Sequence, residues 1–148
     1  MEKVSQKRQL VAIMFTDVVG YTAMMEADET ETLRLLHQNH RTQKSLIEKH
    51  HGTFVKELGD GMLAYFERAD EAVQCSIGIQ QQTKYRSDAN VRIGLHWAEI
   101  ILEDDDIYGD GVNIASRIEA LADSGGIYIS EAVQNALDNE GEIDTRRL

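Results

Sequence analysis

Three pairs of side chains in this chain have types and spacings suited to chemistry on a phosphate. Asn113 and Arg117 stand four residues apart in Asp106-Ile-Tyr-Gly-Asp-Gly-Val-Asn-Ile-Ala-Ser-Arg117. On a helix that spacing puts an amide and a guanidinium on one face, and the planar guanidinium fork matches phosphate oxygens. Arg117 could offset charge growing on a phosphate under attack, with Asn113 orienting a sugar or the attacking oxygen. Asp17 ends the apolar run Leu10–Phe15 and is followed by Gly20, while Asp60 sits between Gly59 and Gly61. Two carboxylates side by side at strand tips could hold a pair of Mg²⁺ or Mn²⁺ ions ~3.5–4 Å apart, because such ions need few carboxylates when substrate phosphates complete the shell. Lys56 and Asp106 form the third pair. An ammonium can donate to adenine N1 and a carboxylate can accept from its N6 amine, whereas guanine reverses that edge and would be rejected.

Each residue has a plainer reading. An Asp after a strand is often a helix cap, and Asp-Gly is often only a turn. A strand lysine is usually solvated, and Arg117 could simply pair with Glu119 or Asp110. Their joint occurrence favours a site, provided the fold brings them together.

The elements that must do so are readable from periodicity. Leu10–Phe15 has the profile of a strand buried on both faces. A helix is predicted over about 30–51, with Leu33, Leu36, His40 and Ile47 at helical spacing and Gly52 closing it. Thr53–Leu58 and Met62–Phe66 are predicted strands joined through Gly59-Asp60-Gly61. Ala69–Arg86 is a second predicted helix, with Ala69, Val73, Ile77 and Gln80 along one side. Val91–Leu102 is a strand ended by the acidic run at 103–106, Val112–Ala122 a third helix, Gly126–Ser130 a short strand and Glu131–Leu137 a short helix. The order β-α-β-β-α-β with C-terminal additions implies an α+β, ferredoxin-like (palm-type) mixed sheet, helices mainly on one face. Strand 1 and the 59–61 hairpin then occupy mid-sheet, which sets Asp17 and Asp60 side by side. Residues 1–9 read as a flexible terminus and 10–148 as one domain.

Composition narrows the partners. A net charge of -11 leaves no basic surplus for broad nucleic-acid or anionic-membrane binding, yet suits a small nucleotide arriving with divalent cations. No apolar run is long enough to span a membrane, and Cys75, the single cysteine, excludes an internal disulfide, so a cytoplasmic location is expected. His37, His40, His50 and His51 lack a ligand set and read as structural or surface residues, and His96 reads as buried or packed. Met14, Met24, Met25 and Met62 read as core residues and Cys75 as a buried, inert thiol. Gly109-Asp-Gly111 is too short and generic for a phosphate loop.

The three motifs, in this order from about Val11 to Ser130, resemble a class III nucleotidyl cyclase catalytic domain of the adenylate/guanylate cyclase family. The resemblance implies that Asp17 and Asp60 are the metal-binding aspartates, joined by the Val18 backbone carbonyl. It implies that Lys56 and Asp106 are the base-recognising pair in its adenine-selecting form, and that Asn113 and Arg117 assist the transition state. The implied reaction converts ATP to 3′,5′-cyclic AMP and pyrophosphate with two Mg²⁺ or Mn²⁺ ions per site. The implied assembly is a head-to-tail homodimer, one subunit giving the metal carboxylates and the other the remaining four side chains. Two departures stand out. Members continue with a further pair of strands carrying a phosphate-contacting lysine, so this chain is expected to lack its last strands, with an additional domain beyond Leu148. Ala98 replaces a usual glycine, so a local adjustment or a narrower pocket mouth is expected. Alternative readings are a non-catalytic nucleotide-binding or dimerisation module regulating a neighbouring domain, and a guanylate cyclase. A diguanylate cyclase is disfavoured by the lack of a Gly-Gly-acidic hairpin.

Overall fold

A computed structural model describes residues 6–85, 90–138 and 143–148. Its elements run β1 (Gln6–Val18), α1 (Tyr21–Ala27), α2 (Glu29–Lys49), β2 (Thr53–Leu58), β3 (Gly61–Phe66), α3 (Ala69–Tyr85), β4 (Val91–Glu103), β5 (Asp106–Tyr108), α4 (Asp110–Leu121), β6 (Ile127–Ile129) and α5 (Glu131–Ala136). The sheet order is β2-β3-β1-β4-β5, and β6 pairs in parallel with β4. The other pairings are antiparallel. This is the split βαβ arrangement expected, a mixed α+β fold.

Strand β1 is central, and Val11, Ala12, Ile13 and Met14 are fully buried. Its alternate residues feed two cores. Ala12 and Met14 pack with Ala64, Phe66, Ile93 and Leu95 against α2, α3 and α5, while Val11 and Ile13 pack with Leu63, Tyr65 and Ile100 against α4. Three helices therefore share one face and α4 covers part of the other. Gly94 permits that second contact, since a Cβ there would collide with the backbone of Glu119. Asp28 caps α2 by accepting from the Glu31 amide at 3.0 Å, and Ser130 caps α5 through the Val133 amide at 3.2 Å; each satisfies an otherwise unpaired N–H.

Several local expectations are revised. Residues 6–9, expected to be flexible, extend β1 and pair with Ile100–Glu103 of β4; a polar sequence suffices there because the pairing is carried by backbone. Residues 1–5, and Arg86 at the expected end of the second helix, lie outside the described residues. Helix α1 was not expected and has no buried residue, so Met24 and Met25 are half-buried rather than core. The left-handed residue after α2 is His51 (φ 65) and not Gly52; Gly52 is small because Phe66 packs on it. The acidic run ends the strand as expected, at Glu103, and also starts a further one. Asp104 and Asp105, both at positive φ, form a tight turn into β5, a conformation that aspartate tolerates. The buried side of α3 follows Ala69, Ala72, Val73, Cys75, Ser76, Ile79 and Thr83, and Ile77 is exposed.

Candidate active site

The two aspartates arrive by different routes. Asp17 is the penultimate residue of β1. Asp60 occupies the two-residue turn Gly59-Asp60, closed by the Leu58–Gly61 pair. Gly61 decides how near they come, because a Cβ there would run into the Thr16 carbonyl and lie 3.2 Å from the Asp17 Cα. Only a glycine lets the hairpin tip lie flush against the end of β1, and this juxtaposes the two residues.

Arg92, on the neighbouring strand β4, holds Asp17 by a two-pronged contact: Nε donates to Oδ1 at 3.0 Å and Nη2 to Oδ2 at 2.6 Å. Sequence reasoning missed this residue, although the antiparallel β1–β4 register places it directly opposite Asp17. Glu119 of α4 completes the cluster at 3.9 Å from Arg92 Nη2. Burial, then the negative charge of Asp17 and Asp60, push the Glu119 carboxyl up to about 7. Three carboxylates thus share one guanidinium, and the cluster is short of positive charge. That shortage, with hard oxygen donors on two adjacent tips, suits a divalent cation. Among the described residues no group of three or more His, Cys, Asp or Glu side chains is arranged to hold an ion by itself, so ligands from outside the chain would have to complete the shell. Val18, whose carbonyl was implicated with them, is buried opposite Val91 at the strand end.

Lys56 and Asp106 meet directly, Nζ donating to Oδ2 at 2.8 Å. They stand on β2 and β5, the two ends of the sheet order. Four interstrand spacings of ~4.8 Å would separate those strands by about 19 Å on a flat sheet, so the contact requires strong curling. A bulge between Phe54 and Lys56 aims the lysine: it pairs with Leu63, on the α4 face, rather than with Met62. Asp106 Oδ1 also accepts from the Ile107 amide at 2.8 Å. The Lys56 contact, first, and that amide hold the Asp106 carboxyl below its ordinary range.

Asn113 and Arg117 are exposed on α4, opposite its buried Gly111–Ala115–Glu119 stripe. Arg117 pairs with neither Glu119 nor Asp110, and no hydrogen bond to a described residue engages either side chain. The helix side that faces Asp17 is the Glu119 side. One chain therefore gathers Asp17 with Asp60, and Lys56 with Asp106, while Asn113 and Arg117 point away from its own aspartates. Ala98 is seated over Gly111, whose missing Cβ leaves room for the methyl group. His96 donates to or accepts from Ser130 Oγ at 2.8 Å, and Cys75 is fully buried, structural roles in both cases.

Fold and site together define a palm-type domain with an acidic pair at the end of its central strands. The sequence matches the adenylate and guanylate cyclase catalytic domain family over residues 3–147, and the chain belongs to that family. "Putative adenylate cyclase 3" of Rhizobium meliloti (strain 1021) is 39% identical over 97% of this chain and 26% of its own length. The chain spans about a quarter or less of the first curated relatives it matches (26%, 17% and 7%). The crystal structure of an adenylate/guanylate cyclase/hydrolase from Silicibacter pomeroyi is similar at 37% identity and a TM-score of 0.82, over 88% of this chain and 81% of that one. The adenylyl cyclase CyaB from P. aeruginosa shares the fold, with a TM-score of 0.83 at 22% identity over 90% and 82% of the two chains. No helix among the described residues is long and apolar enough to cross a membrane.

Proposed function

We propose that this chain is an adenylate cyclase catalytic domain, converting ATP to 3′,5′-cyclic AMP and pyrophosphate in the cytoplasm at sites shared between two copies arranged head to tail. The observation that carries the choice of ATP is the 2.8 Å contact of Lys56 with Asp106. Residues 50 positions apart, at opposite ends of the sheet order, converge as the donor and acceptor that the adenine edge requires. A guanine in that place would face a donor with its own N1–H and a carboxylate with its O6.

In the reaction the ribose 3′-oxygen attacks the α-phosphorus, the bond to the bridging β-phosphate oxygen breaks, and pyrophosphate leaves. Asp17, Asp60 and the Val18 carbonyl would hold two Mg²⁺ or Mn²⁺ ions, which when bound lower the pKa of the 3′-hydroxyl and neutralise the β- and γ-phosphates. Asp17 can serve there without leaving Arg92, since a carboxylate has about four lone-pair sites and the fork uses two. Asn113 orients the sugar, and Arg117 meets the negative charge that builds on the α-phosphate. Their outward direction on α4 suits a partner's aspartates better than those of their own chain, which supports the head-to-tail arrangement.

Cyclic nucleotide formation from Mn²⁺ with ATP or GTP, over a range of protein concentrations, tests this reading. Cyclic AMP made at a specific rate that rises with concentration, and lost in Asp17→Ala, is the expected result. A folded chain that binds nucleotide and makes neither product would leave the regulatory-module reading in its place.

A further inference from the structure

Helix α2 carries three polar side chains where an amphipathic helix would bury apolar ones. Asn39, His40 and Gln43 are 2%, 4% and 0% exposed. Burying such groups is costly unless each finds a partner, and the partners of His40 and Gln43 lie in the two segments that present the aspartates. His40 Nε2 lies 2.9 Å from the Asp60 backbone carbonyl; a carbonyl can only accept, so Nε2 carries the proton and donates. Gln43 Oε1 accepts from Thr16 Oγ1 at 2.8 Å, one residue before Asp17, and Gln43 Nε2 donates to Asn39 Oδ1. The other nitrogen of His40 faces Glu57 Oε1 at 3.3 Å, and Lys44 Nζ reaches the same oxygen at 3.1 Å. Glu57 is turned toward α2 because the β2 bulge restores its pairing with Met62. Among the described side chains one buried polar atom, Asn39 Nδ2, has no partner.

We propose that His40 is a positioning residue: its Nε2–H holds the Gly59-Asp60 turn by the Asp60 carbonyl, with Gln43 bracing β1 at Thr16, so that both carboxylates are set for cations before any arrive. The inference rests on the assignment of Asp17 and Asp60 as cation ligands. Preorganisation of this kind acts on the binding step, because bound ions and nucleotide would themselves fix Asp60 once in place. Loss of one such hydrogen bond should therefore raise the Mn²⁺ requirement by about 3- to 10-fold and leave kcat at saturating Mn²⁺ within about twofold.

The test compares His40→Phe, which keeps the ring volume without the donor, with His40→Gln, whose amide can replace Nε2–H. Amide hydrogen exchange at residues 59–62 is followed without metal, and Mn²⁺ binding is measured by its paramagnetic resonance with 3′-deoxy-ATP, which cannot cyclise. Faster tip exchange and weaker Mn²⁺ binding in His40→Phe, both largely reversed in His40→Gln, are expected. A folded His40→Phe with wild-type exchange and wild-type Mn²⁺ binding overturns the proposal, as does a His40→Gln no better than His40→Phe. Glu57→Gln, at the surface, decides the matter if neither core variant folds: faster amide exchange at residues 59–62 without metal supports the strut and unchanged exchange overturns it. If wild type binds no Mn²⁺ while His40→Phe still loosens the tip, the strut stands and the cation assignment falls.

Discussion

Replacing Glu119 by glutamine should stabilise this domain, and only at neutral to alkaline pH. The side chain is 11% exposed, and its carboxyl rises from an ordinary 4.5 to about 7, through burial first and then the charge of Asp17. A folded-state value above the unfolded one means that the folded chain binds the proton more tightly. The stability this carboxyl supports is thus fully present below about pH 4.5 and is lost as pH rises toward 7. At about 1.4 kcal/mol per pH unit the loss has a ceiling of about 3 kcal/mol. Residual water reduces it, and about 1.5–3 kcal/mol is expected. Glutamine mimics the protonated acid, so Glu119→Gln and wild type should unfold in urea with equal free energy near pH 4.5. By pH 8 the variant should be the more stable by that amount. The difference between the two proteins isolates the carboxyl from every other group that titrates across the range. Equal stabilities at both pH values, or an advantage for wild type at pH 8, would refute the argument that Glu119, Asp17 and Asp60 crowd one guanidinium.

Three further outcomes follow. Gly111→Ala places a methyl group against Ala98 and 3.3 Å from Ile13 Cδ1, and should cost about 1–3 kcal/mol in chemical denaturation; Ala98→Gly in the same chain should recover most of it, and a strictly additive double variant would show that the two do not share that space. Asp17→Ala chains mixed with Arg117→Ala chains should regain up to about a quarter of wild-type cyclase activity through one intact composite site, on statistical pairing of subunits; heterodimers that form but stay inactive would sink the shared-site proposal. Burial pushes the Cys75 thiol up to about 12, so a thiol reagent at pH 8 should modify it only as fast as the chain unfolds, and rapid labelling of native protein would contradict its placement.

What the sequence disclosed, and what it withheld, divides along physical lines. Periodicity revealed β1, α2, the β2–β3 hairpin and α3, because each must bury a repeating apolar face. Pairing identities lie outside periodicity. Arg92 became visible as the partner of Asp17 only once β4 was set antiparallel against β1, since a single arginine on a strand otherwise reads as solvated. The β2 bulge was equally hidden: without the register, nothing in Thr-Phe-Val-Lys-Glu-Leu says that Lys56 will leave the face of Phe54 for the opposite one. His40 fitted the helical stripe of α2 and was read as structural for that reason. Its burial was legible, but its contact with the Asp60 carbonyl was not, because that contact joins two elements through backbone.

The bulge links the two halves of the proposed chemistry. An uninterrupted β2 would keep strict alternation, so Phe54, which packs toward α2 and α3, and Lys56 would share a face. One extra residue, Val55, lets Lys56 turn to the α4 face while Glu57 returns to the α2 face. A single irregularity thereby sends Lys56 toward Asp106 and the Glu57 carboxylate toward His40 and Lys44. On the proposed reading those two ends of one short strand serve different copies of the site, the lysine with the partner's aspartates and the His40 strut with its own. The spacing of Lys56 and Asp60 along the hairpin is then a constraint on the dimer as much as on the chain. An insertion that moved the bulge by one residue should impair base recognition and cation binding together.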